Sequence, residues 1–167
     1  MKMNARYLVA TLLVMSAAML GVLIPGGPIE TRNFSDMSPV ILLGFNILLT
    51  ILGLGSFVLA YFVLDRRRGG YMLSAFFGVE YFLVYSLDLL GIFPVSPDSM
   101  PHLLRWIEVV GVVASFPLIS LSIQLALTLD NTVRQGITFK LEHFRLILLV
   151  TLVATGIIAF ATHAAMR

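Results

Sequence analysis

The stretch PVILLGFNILLTILGLGSFVLAYFVL, residues 39–64, decides the class of this protein, because it carries no charged residue over a length that can cross a bilayer. About 20 apolar residues in a helix span the roughly 30 Å of hydrocarbon in a membrane. An isolated segment in lipid satisfies its backbone hydrogen bonds only as a helix. Residues 39–64 are therefore predicted to form a transmembrane helix.

The rest of the chain has the same character. Of its 167 residues, 59% are hydrophobic and only 12% are charged, whereas soluble domains are about 25% charged. The first apolar segment follows Lys2 and Arg6 as a secretory signal would, but a Pro-Gly-Gly-Pro turn comes after it, so we expect a retained helix. The predicted fold class is all-α, a single polytopic bundle over residues 1–167. Its five predicted spans cover residues 7–24, 39–64, 71–93, 103–129 and 146–165.

The basic residues predict the orientation of this bundle. Only three of the 11 Lys and Arg residues, Arg32, Arg105 and Arg167, fall on one side of the predicted spans. The others are Lys2, Arg6, Arg66, Arg67, Arg68, Arg134, Lys140 and Arg145. Because cytoplasmic loops carry the excess of Lys and Arg, we expect the N-terminus inside, the C-terminus outside, and a multi-pass protein of the cell membrane.

The third predicted span contains four polar groups within the stretch GVEYFLVYSLDLLG, residues 78–91. At about 100° per residue, Glu80, Tyr81, Tyr85 and Asp88 fall within one arc of less than half the helix. They form a predicted intramembrane polar site that faces the other helices rather than lipid.

Glu80 has two interpretations, because it lies near the predicted midplane with no Lys, Arg or His at its depth. The first is a neutral carboxyl that bonds to Asn46, Thr50 or Ser115 and holds helices together. The second is a proton or cation site, since ionisable groups inside a membrane are commonly functional.

A second charged group is predicted where the third span ends and the fourth begins. If these spans pack as an antiparallel hairpin, Arg105 and Glu108 lie at about the depth of Asp88. We therefore expect an ion-paired group made of Asp88, Arg105 and Glu108 at the outer face.

Small and polar residues predict how the helices pack. Asn46, Thr50 and Gly53 share a narrow arc of the second span, and Gly111 and Ser115 form a small-xxx-small pair in the fourth. Small residues let helix backbones approach closely, and hydroxyl or amide groups bond across helices.

Several classes of function find no support in the sequence. There is no cysteine, no lysine within a predicted span, and no nucleotide-loop, metalloprotease or Ser-His-Asp pattern. A formal charge of +2 does not indicate nucleic-acid binding. We expect no catalytic site, no metal and no cofactor, and the protein is predicted not to be an enzyme.

One part of the chain resembles a known group. The stretch LLGIFPVSPDSMPH, residues 89–102, together with FSDMSP, residues 34–39, resembles small, mostly six-span membrane proteins of unknown function that are distantly akin to the damage-regulated autophagy modulator type. The resemblance covers roughly the second to fourth spans. It implies a membrane bundle and no particular activity, and a sixth span is missing here.

Two functions are therefore predicted. The first is an accessory or scaffold component of a membrane, which contacts the lipid bilayer and binds lipid, another membrane subunit or a second copy of itself. The alternative is a small proton- or cation-coupled transporter or channel that uses Glu80.

Overall fold

The protein is described by a computed structural model, which gives the backbone of residues 2–65, 68–128 and 141–165 and the side chains of residues 5–65, 68–128 and 149–165. These ranges contain five helices and no strand. The helices are α1 (Lys2–Val22), α2 (Pro39–Leu64), α3 (Arg68–Leu89), α4 (His102–Thr128) and α5 (Leu141–Ala165).

Four of the helices, α1 to α4, are long and apolar enough to cross a membrane. The apolar part of α5 among the described side chains covers Leu149–Ala165. Large apolar side chains remain exposed along every helix, with Val40 and Leu127 about three-quarters exposed, as expected for surfaces that face lipid rather than water. The predicted class, an all-α protein with membrane-compatible helices, is confirmed.

The bounds of α2 coincide with the predicted span, and a proline occupies its first turn, where the missing N–H costs nothing. The predicted end of the third span at residue 93 is wrong, because α3 ends at Leu89. Gly91 adopts a φ of 65°, and its N–H donates to the carbonyl of Asp88 at 2.8 Å while that of Ile92 donates to Leu87 at 2.9 Å. This pair of bonds is the Schellman arrangement that terminates helices at a glycine.

Some of the sequence-based predictions fall on parts of the chain outside the described residues. They concern the last residue of the fourth predicted span, residue 129, and several basic residues used for the orientation. These basic residues are Arg66, Arg67, Arg134, Lys140 and Arg167.

The bundle is built from two antiparallel helix pairs, α1 with α2 and α3 with α4, and α5 packs against α2. Glycine permits the closest approach within the second pair. A Cβ on Gly111 would lie 2.5 Å from ring atoms of Tyr85, and one on Gly78 would lie 2.7 Å from Ile119. The α3–α4 contact therefore depends on the missing side chains at these two positions.

The other residues predicted to pack the helices either contact a neighbouring helix or form a hydrogen bond to the backbone of their own helix. Asn46 of α2 donates from Nδ2 to Thr162 Oγ1 of α5 at 3.0 Å, and Gly53 faces Leu20 of α1. The hydroxyl of Thr50 bonds to the carbonyl of Asn46 at 2.7 Å. Ser115 likewise bonds within α4, to the carbonyl of residue 111 at 2.8 Å.

Candidate functional site

The connection between α1 and α2, residues 23–38, folds over the end of the bundle where α3 ends. Three hydrogen bonds hold it there. The N–H of Phe34 donates to the carbonyl of Ala165 at the end of α5 at 2.9 Å. The N–H of Asn33 donates to Asp98 Oδ2 at 2.7 Å, and Ser96 Oγ donates to the carbonyl of Asn33 at 2.7 Å. The connection therefore contacts both the α3–α4 turn and α5.

This connection places Arg32 between two carboxylates. Nη1 and Nη2 of Arg32 donate to Oδ1 and Oδ2 of Asp88 at 2.8 and 2.7 Å. Nε and Nη2 donate to Oε1 and Oε2 of Glu30 at 2.9 and 2.6 Å. Both contacts are bidentate, the geometry for which the planar guanidinium is suited. The guanidinium also lies over the ring of Phe34, 5.2 Å from its centroid.

The buried position of Arg32 affects its proton affinity in two opposing ways. Burial by itself lowers the pKa of the guanidinium, but the hydrogen bonds to Asp88 and Glu30 and their negative charges outweigh it and raise the pKa above the usual range of arginine. Arg32 is therefore a permanent cation at this site.

A third carboxyl group, Glu108 of α4, completes the site. Its side chain is 2% exposed and borders the same small cavity as Asp88. Its Oε2 atom is fully buried and has no hydrogen-bond partner among the described residues. We call Glu30, Arg32, Asp88 and Glu108 the charge cluster. It contains three carboxyl groups and one guanidinium.

The predicted ion-paired group has a different cation. Asp88 and Glu108 do come together, but Arg105 is exposed on α4, and the ion pairs of Asp88 within the described part of the chain are formed with Arg32. The expectation that Arg105 binds Asp88 or Glu108 is therefore wrong. The physical reason is that residues 23–38 bring a bidentate guanidinium to Asp88 from the other helix pair and cover it.

The predicted intramembrane polar site also comes together only in part. Tyr81 and Tyr85 are fully buried and stack with ring centroids 6.0 Å apart. The hydroxyl of Tyr81 shares a hydrogen bond with Ser56 Oγ of α2 at 2.9 Å. Glu80, in contrast, is half-buried and lines none of the cavities described below.

The helical arc explains why Glu80 is separated from the others. The buried face of α3 includes Ser74, Tyr81, Tyr85 and Asp88, and at about 100° per residue it is centred roughly 110° from Glu80. The four polar residues do share an arc, as predicted, but Glu80 stands at its edge. It therefore lies on the flank of the helix.

A small cavity adjoins the charge cluster. Its volume is about 50 Å³, enough for a few water molecules at roughly 10–15 Å³ each. Its polar lining comes from Glu30, Asn46, Tyr85, Asp88 and Glu108, and its other walls are apolar side chains. We call it the acidic cavity, since three of its five polar groups are carboxyls.

A larger cavity lies beside it between α1, α2 and α5. Its volume is about 260 Å³, just below the roughly 300–1,000 Å³ typical of drug-sized ligand sites. Apart from Asn46 and Thr50, every residue that lines it is apolar or glycine, including Gly53. We call it the apolar groove. Five residues line both the apolar groove and the acidic cavity, so the two are continuous: Leu20, Leu23, Pro25, Asn46 and Leu49.

The sequence contained a signal for the part of the site that was missed. Glu30 and Arg32 are opposite charges two positions apart in a stretch rich in Pro and Gly, and Arg32 is one of only three basic residues on its predicted side. With so few cations on that side, Arg32 is a candidate partner for the acids Asp88 and Glu108. The sequence does not indicate the path of residues 23–38, because this connection has no periodic pattern.

The site has no metal-binding character within residues 5–65, 68–128 and 149–165, where no group of three or more His, Cys, Asp or Glu side chains could hold an ion. The arrangement can instead bind a molecule with an apolar part in the groove and a polar part in the acidic cavity.

Comparison with known proteins adds a family and no activity. No curated protein matches the chain, and no solved structure matches it. Residues 5–138 match the model of a family described as a domain of unknown function, DUF8051. This match covers most of the chain, including all of α1 but its first three residues, the whole of α2 to α4, and the charge cluster. The chain belongs to the DUF8051 family.

Proposed function

We propose that this protein is a non-catalytic membrane component that binds a lipid or another long-chain amphiphile in the apolar groove. The observation that carries the proposal is the continuity of this groove with the acidic cavity. A site with apolar walls and one polar end is complementary to a molecule with a chain and a head group.

The position of the groove supports an occupant from the bilayer. It lies between helices whose outer faces carry exposed apolar side chains, such as Phe57 of α2 and Phe160 of α5. Both of these helices would stand among lipid chains if they cross the membrane. A long-chain molecule could then enter sideways without passing through water.

The proposal includes the topology of the bundle. We infer five spans in the cell membrane, with the N-terminus inside and the C-terminus outside, because most basic residues lie on one side. A reporter that is active only in the cytoplasm, fused after Arg167, should be silent. A strong signal from that fusion would overturn this topology.

Three further predictions carry less support. A proton- or cation-coupled transporter that uses Glu80 needs a polar route, and Glu80 lines neither the acidic cavity nor the apolar groove. The resemblance of residues 89–102 to six-span proteins distantly akin to the autophagy modulator type stays a prediction. Binding to a second membrane subunit or to another copy of the chain is compatible with the exposed apolar helix faces.

The experiment is photolabelling of the protein in phosphatidylcholine nanodiscs with a 12-carbon alcohol that carries a diazirine in mid-chain. We expect saturable labelling of residues that line the apolar groove. Gly53→Leu should reduce this labelling several-fold, because the new side chain grows from the groove wall into its volume. There is space for it at the base, since a Cβ on Gly53 lies 3.7 Å from its nearest neighbour.

The matched control is Gly44→Leu, which adds the same side chain to an exposed position of α2 where a Cβ meets nothing within 4 Å. This variant should label as the unmodified protein does. Labelling that does not saturate, or that is equal in Gly53→Leu and Gly44→Leu, would show that the groove holds no chain.

A further inference from the structure

We propose that the acidic cavity selects a primary ammonium group as the head of the bound amphiphile. This inference rests on the proposed function, because the chain of the ligand occupies the apolar groove. It adds the chemical class of the ligand, a long-chain primary amine.

The first argument is the unused acceptor. Glu108 is almost completely buried, lines the acidic cavity, and leaves Oε2 without a hydrogen-bond partner among the described residues. A buried carboxyl oxygen without a donor loses its hydration and gains nothing in return. The cavity therefore lacks a hydrogen-bond donor at the position where Glu108 faces it.

The second argument is charge. Arg32 directs four hydrogen bonds at Glu30 and Asp88, so its guanidinium is committed to those two carboxylates. No ion pair connects Glu108 to a cation within the described part of the chain. Two neighbouring carboxyls such as Asp88 and Glu108 need a proton or another positive charge between them. A cationic head group supplies that charge.

The third argument is size and donor count. A cavity of about 50 Å³ has room for a few waters or for one small head group. A primary ammonium is compact and carries three N–H donors. Asp88 and Glu108 line the cavity and offer carboxyl acceptors for these donors. A trimethylammonium group is larger and has no N–H to donate.

The experiment uses three 12-carbon probes with the same diazirine near the head, and with an amine, an alcohol or a trimethylammonium head. Each is titrated into nanodiscs of phosphatidylcholine at pH 7, where the amine is protonated. The probes partition differently into lipid, so each is compared between variants. We expect Glu108→Gln to raise the half-saturating concentration of the amine about tenfold or more, as the loss of a charged hydrogen bond does. The alcohol should change by less than about twofold.

The matched control is Glu80→Gln, the same substitution at the acid of α3 that lines neither cavity. It should leave the amine titration unchanged. A second readout needs no variant: in the unmodified protein the amine should label residues of the acidic cavity such as Val84, while the alcohol labels the groove. If Glu108→Gln does not fold, the positions labelled in the unmodified protein still test the ammonium site.

The outcomes separate the two proposals. Saturable labelling that is the same for all three heads, and at the same residues, would overturn the ammonium site and leave the groove as a lipid site. An equal effect of Glu80→Gln and Glu108→Gln on the amine would also overturn it. Absence of saturable labelling by every probe would overturn the proposed function itself.

Discussion

Replacing Arg32 with methionine tests the charge cluster most directly. Methionine keeps the unbranched apolar part of the side chain and removes the guanidinium, so four hydrogen bonds of 2.6–2.9 Å disappear. The carboxylates of Glu30 and Asp88 then remain in a place where their side chains are only 5% and 11% exposed. Breaking a buried pair in this way costs about 3–5 kcal/mol, and we expect a loss of that size in the free energy of unfolding.

The assay is reversible unfolding in mixed micelles of a mild detergent and dodecyl sulfate, followed by circular dichroism. Adding Asp88→Asn to Arg32→Met should recover part of the loss, with a coupling energy of about 1–3 kcal/mol. Arg105→Met is the matched control, since Arg105 is exposed, and it should change the free energy by less than about 0.5 kcal/mol. Equal losses in Arg32→Met and Arg105→Met, or no coupling with Asp88→Asn, would refute the reasoning.

Two further predictions concern stability. Gly111→Ala should destabilise the protein by about 1–3 kcal/mol, because its Cβ would lie 2.5 Å from the ring of Tyr85, whereas Gly44→Ala should not destabilise it; similar losses in both variants would argue against the close contact. The stabilisation by Arg32 should not be lost between pH 7 and 10. Its pKa is raised on folding, so its contribution is complete below the pKa of an unfolded arginine, which lies well above pH 10, and is lost only above that pKa. Measuring the difference between the unmodified protein and Arg32→Met at both pH values checks this, and a difference that shrinks by more than about 1 kcal/mol at pH 10 would contradict it.

The sequence predicts the helices well because membrane spans are set by length and apolarity. The bounds of α2 follow from Pro39 at its start and from the run of charged residues that follows Leu64 in the sequence. The end of α3 was placed too late because Leu90, Ile92 and Phe93 continue the apolar pattern, while the backbone turns at Gly91. A hydropathy pattern carries no information about backbone angles, so it does not show that the helix ends where Gly91 adopts a positive φ.

The candidate site was predicted only in part, and the reason is where its members lie. Asp88 and Glu108 are on helices, so their equal depth in an antiparallel hairpin predicted that they come together. Glu30 and Arg32 are in a connection with no period, and only the fold shows that it crosses to α3. Glu80 stands apart from the charge cluster because the buried face of α3 is centred away from it, and spacing along a single helix does not reveal where that face is centred.

The bridge from Arg32 to Asp88 also bears on the order of folding. The pairs α1–α2 and α3–α4 are each made from neighbouring segments of the chain, so each closes a short loop. The bridge joins residues 56 positions apart and requires both pairs to be in place. We therefore expect this contact to form after the rate-limiting barrier of folding, with a φ-value near zero. The loss of about 3–5 kcal/mol in Arg32→Met should then appear almost entirely in unfolding, which speeds up roughly 10²–10³-fold or more while the refolding rate stays nearly constant.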